Sequence, residues 1–86
     1  MKKGGYLIID LGDVNITSTG VTVPGIHQMI ESSYRNRKAI LISGVTLNGV
    51  EQRDCFIDCT NASGNYTFSA YGKTFTISAE DKVTIA

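Results

Sequence analysis

Hydrophobic and polar positions alternate with a period of two along most of this chain, and that period predicts strands. Gly5 to Leu11 reads as a strand with Leu7 and Ile9 on one face and Tyr6 and Ile8 on the other. Both faces are apolar, which predicts a central strand or one held between layers. Gly12-Asp13 is read as a turn. Two short alternating pieces follow, with Val14 and Ile16 in register and then Val21 and Val23, and Ser18-Thr19-Gly20 divides them into a β-arm or edge hairpin.

At Pro24 the period changes. From there the apolar residues are spaced Ile26, Met29, Ile30 and Tyr34, within an arc of about 140° on a helical wheel, so a helix of roughly ten residues is expected to lie on a sheet. Proline suits the first helical turn. Arg35, Arg37 and Lys38 complement the dipole at the other end, where Asn36 is read as a left-handed cap.

Two hairpins complete the pattern. Lys38 to Leu47 and Val50 to Thr60 flank Asn48-Gly49, a dipeptide that tolerates the positive φ a type I′ turn requires at both central positions. A regular two-residue hairpin sets Leu47 against Val50, Ile42 against Cys55, Leu41 against Phe56 and Ile40 against Ile57. Its apolar face then changes side near Ser43-Gly44 and Gln52 to Asp54. Either a glycine bulge re-aims the tip, or the tip leaves the core and meets a partner. The second alternative makes Val45, Leu47, Asn48, Gly49 and Val50 a candidate partner-binding site.

Thr60 to Asn65 is read as a loop by composition. Beyond it, a type II′ turn at Gly72-Lys73 pairs Tyr71 with Thr74, Ala70 with Phe75, Phe68 with Ile77 and Tyr66 with Ala79, giving one apolar face and one hydroxyl-rich face. Val83 to Ile85 forms a last paired strand. The fold class expected is a single α+β domain over residues 1–86, mostly antiparallel β, as a small roll or partly closed barrel with one short helix.

Composition narrows the function. A chain of 86 residues buries only about 60 to 65% of its unfolded surface, so association would add to a modest stability. Lys+Arg 8 balance Asp+Glu 8, which leaves no global field to attract nucleic acid or an anionic membrane. The apolar run near the N-terminus is interrupted by Asp10 and Asp13, too short for a secretory core or a membrane span. A cytoplasmic location, or assembly there, is therefore expected.

Candidate chemistry is sparse. In a strand Cys55 and Cys59 lie roughly 13 Å apart, beyond the roughly 7 Å a disulfide spans, so structural thiols are expected. His27 is the only histidine, with no nucleophile or orienting carboxylate placed beside it by the sequence. The carboxylate pairs Asp10 with Asp13 and Asp54 with Asp58 lack the spacing of a calcium loop. Arg35, Asn36, Arg37 and Lys38 form the strongest basic cluster, and a helix C-terminus explains it without a ligand. Asn15, Asn61 and Asn65 begin Asn-x-Ser/Thr triplets, read as coincidence in a chain rich in Ser and Thr. No catalytic residue, cofactor or metal ligand is assigned.

Gly20 to Ile26, Tyr34 to Lys38 and the Thr-rich segment Tyr66 to Ile77 resemble small accessory structural proteins encoded by phages and prophages of Gram-positive gut bacteria. The resemblance implies a non-enzymatic virion component that assembles with itself or with a larger virion protein. A homo-oligomer with protein partners is the expectation. The alternative is a small ligand- or carbohydrate-binding β domain using exposed Tyr66 or Tyr71.

Overall fold

The computed structural model describes residues 6–86. Its strands are β1 (Tyr6–Ile16), β2 (Val21–Thr22), β3 (Ala39–Leu47), β4 (Val50–Glu51), β5 (Cys55–Ile57), β6 (Thr60–Ala62), β7 (Asn65–Ala70), β8 (Lys73–Ile77) and β9 (Lys82–Ile85), with one helix, α1 (Ile26–Arg35), among the described residues. They form two sheets. In the first, β3 is flanked by β1 on one side and by β4 and β5 on the other; the second has the order β2-β9-β8-β7-β6. The α+β class, mostly antiparallel with one short helix, is as the sequence predicts. The partly closed barrel is not formed, because the two sheets keep separate hydrogen-bond ladders.

The pairing of β1 with β3 is parallel. Parallel neighbours cannot be joined by a tight turn, and here α1 lies in the connection between them. Among the described residues β1 is an edge strand with one face bare, neither the central strand nor the one held between layers that its two apolar faces predict: its inner residues Ile9 and Leu11 are buried, while the outer Tyr6 and Ile8 are exposed.

Gly12-Asp13 does not turn the chain. Both residues have positive φ, 66° and 62°, yet β1 runs on through them. The ladder moves from Asp10 opposite Ser43 to Val14 opposite Val45, so Leu11, Gly12 and Asp13 stand against Gly44 alone. This is a bulge, and it explains the change of apolar face in β3. Ile40 and Ile42 point into the core before it; Gly44, at φ 66°, reverses the parity; Val45 and Leu47 point into the core after it. Val14 to Ile16 thus stay in β1, and Val21–Thr22 pairs with β9. No β-arm hairpin links the two pieces.

α1 occupies the ten residues expected, packing against β1, β3 and β7. Ile26, Ile30 and Ser33 are its buried residues, whereas Met29 and Tyr34, expected on the same stripe, are exposed. Pro24 sits one step earlier than the periodicity suggests. With Gly25 at φ 82° it occupies the centre of a tight turn closed by the Ile26 N–H donating to the Val23 carbonyl at 3.1 Å, an arrangement that suits Pro followed by Gly. At the other end Arg37, φ 56°, takes the left-handed conformation. Asn36, at φ −91°, instead donates through its side-chain amide to the Ser32 carbonyl at 2.8 Å.

The Asn48-Gly49 hairpin has the expected register, with Leu47 opposite Val50 and Ile40, Ile42 and Leu41 opposite Ile57, Cys55 and Phe56. Thr60 to Asn65 is not a loop. Ser63 and Gly64, φ 55° and 86°, close a two-residue turn between β6 and β7, and its polar composition hid the pairing of Ala62 with Asn65.

The last hairpin turns at Tyr71-Gly72, φ 56° and 74°, one residue before the turn expected at Gly72-Lys73. A bulky residue in the left-handed region costs about 1–2 kcal/mol. In return Phe68 stands directly opposite Phe75 with rings stacked at 4.8 Å, and the Tyr71 hydroxyl donates to the Arg53 carbonyl at 2.7 Å. Moving the turn by one residue changes the pairing by two, so each side chain keeps its face. Tyr66, Phe68, Ala70, Phe75 and Ile77 are all buried. Ala79 lies beyond β8 and is exposed.

Candidate functional site

The outer face of the first sheet is built from alternate residues of three strands. Ile8 of β1, Leu41 of β3 and Phe56 of β5 stand side by side in one row. Tyr6 opposite Ala39 makes the next. Tyr6 is 52% exposed, Ile8 54% and Phe56 60%. Because Ala39 carries only a methyl group, the Tyr6 and Phe56 rings meet above β3, with centroids 5.3 Å apart and planes 83° to each other. Edge-to-face geometry of this kind places the positive ring edge against the negative face of its neighbour.

Single exposed apolar residues are ordinary on a protein surface; a contiguous set is not. The inner face of the same sheet carries Ile9, Ile40, Ile42 and Ile57, so the sheet is apolar on both sides although only one side is covered. The sequence shows this in the unbroken apolar run Tyr6 to Ile9. Only the packing, which covers the inner face and leaves the outer one bare, reveals that half of the run faces solvent.

The candidate site at the hairpin tip is divided by the fold. Val45 is 1% exposed and Leu47 7%, so both belong to the protein's own core through the Gly44 bulge. Val50 stays out, at 61% exposed. Asn48 and Gly49, φ 50° and 85°, form the turn: the Asn48 N–H donates to the Ile16 carbonyl at 3.0 Å and the Gly49 N–H to the Asn15 side-chain oxygen at 2.8 Å. The tip is tied to β1, and Val50 alone remains from the apolar set proposed there.

No family model, curated protein or solved structure matches this chain. Its functional reading therefore rests on its own residues.

The other candidates occupy structural positions. The His27 ring lies against Tyr66, with centroids 5.1 Å apart, and its Nε2 is 2.8 Å from the Gly64 carbonyl; it joins α1 to the β6–β7 turn. Asp10 accepts from the Gly12 N–H at 2.8 Å and shapes the bulge. Among the described residues no group of three or more His, Cys, Asp or Glu side chains is placed to hold a metal ion.

Cys55 and Cys59 are both free and half-buried. Burial, reinforced by the neighbouring Asp58 carboxylate, pushes the Cys59 thiol up to about 11, well away from a reactive thiolate. Arg37 and Lys38 line an open groove of about 470 Å³ between the end of α1 and β5, together with Ser33, Asp58 and Cys59. The carboxylate and the negative end of the helix dipole oppose an anion in that groove. The tyrosines suggested for carbohydrate stacking are engaged: Tyr66 is 3% exposed, and the Tyr71 hydroxyl donates to the Arg53 carbonyl, with burial raising its phenol above its ordinary value.

Among the described residues no helix is long and apolar enough to cross a membrane.

Proposed function

We propose that this protein is a non-enzymatic assembly module whose docking surface is the outer face of its first sheet. The observation that carries this reading is the contiguous exposure of Tyr6, Ile8 and Phe56 around Leu41, an apolar surface made of ordered strand residues. Strands hold these side chains in fixed positions, so little conformational entropy is lost when a partner covers them. Half-exposed aromatic residues at such a site are the type that carries binding energy in protein interfaces. The setting implied by the sequence resemblance, an accessory component of a phage or prophage particle, requires just such a protein-binding surface.

A photocrosslinking amino acid tests the assignment. Benzoylphenylalanine in place of Phe56, in cells producing the protein, is expected to give discrete adducts with a protein partner. The same substitution at Lys73, on the second sheet, is the control. Adduct yields at position 56 no greater than at position 73 remove the docking face.

A further inference from the structure

We infer that Asn48 is a latent modification site, set up by sequence to form a succinimide with Gly49 and held back from it by the Asn15 side chain of β1. In that reaction the Gly49 nitrogen attacks the Asn48 Cγ. A C–N bond forms, the Cγ–Nδ2 bond breaks, and ammonia leaves with the proton that the Gly49 amide gives up. Water then opens the cyclic imide at either carbonyl, giving aspartate or isoaspartate. No oxidant or cofactor takes part.

Asn15, Asn36, Asn61 and Asn65 are followed by Ile16, Arg37, Ala62 and Tyr66. Asn48 alone precedes a glycine, which has no side chain to obstruct the attack and the widest backbone freedom. Neither burial nor crowding protects this pair. Asn48 and Gly49 are both exposed, and a Cβ placed on Gly49 would meet nothing within 4 Å.

What opposes the reaction is the way β1 holds the turn. Attack requires the Gly49 nitrogen to lose its proton and to lie on the same side of the Asn48 Cα–C bond as Cβ. Its N–H instead donates to the Asn15 Oδ1 at 2.8 Å, and the neighbouring Asn48 N–H donates to the Ile16 carbonyl at 3.0 Å. With φ at 50° and 85° the two residues have the conformation of a type I′ turn, in which ψ of the first central residue is about +30°. That angle directs the Gly49 nitrogen away from the Asn48 Cβ. A nucleophile bonded elsewhere and pointed elsewhere does not close the ring. Asn15 can act as the guard because β1 runs beside this end of β3, with Asn15 opposite Thr46 and Ile16 opposite Leu47. Once formed, isoaspartate would add a methylene to the main chain of a two-residue turn, working against the pairing of Leu47 with Val50.

The full chain, incubated in mildly alkaline buffer and then digested, is read by mass spectrometry for replacement of –NH2 by –OH at each asparagine. Native wild type is expected to convert at Asn48 about tenfold or more slowly than the same chain in guanidinium chloride, the population factor of a modest local opening. Asn15→Ala, with its circular dichroism retained, should convert about two- to tenfold faster than native wild type, the worth of one neutral hydrogen bond. Asn15→Asp, which keeps an acceptor oxygen in place, should stay near the wild-type rate. Slowed hydrogen exchange of the Gly49 amide in wild type reports the Asn15 contact without any variant. Native conversion as fast as in denaturant overturns the inference, as does a folded Asn15→Ala protein that converts at the wild-type rate. If that variant does not fold, an unprotected Gly49 amide in wild type overturns it instead. Earlier conversion at another asparagine overturns the choice of Asn48.

Discussion

Tyr6 and Phe56 lie on strands that are not hydrogen-bonded to each other, yet their rings meet edge to face at 5.3 Å across the top of β3. Ala39 beneath them leaves the space. An aromatic pair of this kind contributes about 0.5–1.5 kcal/mol beyond its buried area. Phe56→Ser should therefore cost only about 1 kcal/mol in urea unfolding while removing the docking surface. Phe75→Ala, at a side chain that is 0% exposed, should cost about 3–5 kcal/mol by the same measurement. Comparable losses for the two would show that Phe56 serves the core.

Gly44 and Gly49 both have positive φ, 66° and 85°, but only one of them is crowded. A Cβ at Gly49 meets nothing within 4 Å, whereas one at Gly44 falls on the Asp10 carboxylate and 2.9 Å from the Gly12 nitrogen. Gly49→Ala should cost about 1–2 kcal/mol, the left-handed penalty alone. Gly44→Ala should cost more than that, and Asp10→Ala should recover only part of the difference, because the Gly12 backbone remains. Equal midpoints for the two glycine variants in urea would contradict the bulge as the packed hinge of β1 and β3.

Asp81 accepts from the backbone N–H groups of Gly25 and His27 at 2.9 and 3.0 Å, which holds its carboxyl below the usual carboxylate range. A depressed carboxyl stabilises the fold above its unfolded-state pKa, and that contribution is lost as pH falls through the lower folded value. Thermal melts from pH 7 downward should show this acid-side loss. Asp81→Asn, which tolerates the positive φ of 68°, should be less stable at neutral pH and should lose that part of the pH dependence.

Cys59 is raised from 9.0 to about 11, so at pH 8 its thiolate fraction is about 100-fold below that of an ordinary thiol. Iodoacetamide labelling followed by mass spectrometry should show a corresponding delay at Cys59 in the native protein, lost in denaturant. The same shift makes the protonated thiol a stabilising group below pH 9, and that stabilisation should decline as pH rises towards 11. Rapid native labelling at pH 8 would contradict the burial.

Local chemistry alone specified a good part of this molecule. Asn48-Gly49 determines its own turn because few dipeptides accept positive φ twice, and the register of Ile40, Leu41 and Ile42 against Ile57, Phe56 and Cys55 follows from it by counting. The spacing of Ile26 and Ile30 specified α1, and strict alternation placed Phe68, Phe75 and Ile77 on the buried face even though the turn beside them lies one residue away from where the glycine suggested. Period and turn propensity are properties of neighbours in sequence. Which side of the parity switch at Gly44 held the answer was not. That depended on β1 bulging against it over Leu11 to Asp13, a pairing between segments some thirty residues apart. The docking face depended on the same long-range choice. Tyr6 to Ile9 reads identically whether one face of β1 or both are covered; pairing with β3 sets Ile8 beside Leu41 and Phe56, and only the packing of the core on the inner face alone leaves Tyr6 and Ile8 facing water. A strand's neighbours are decided by the packing of the whole chain, because hydrogen-bond partners and covered faces are shared between elements rather than written in any one of them.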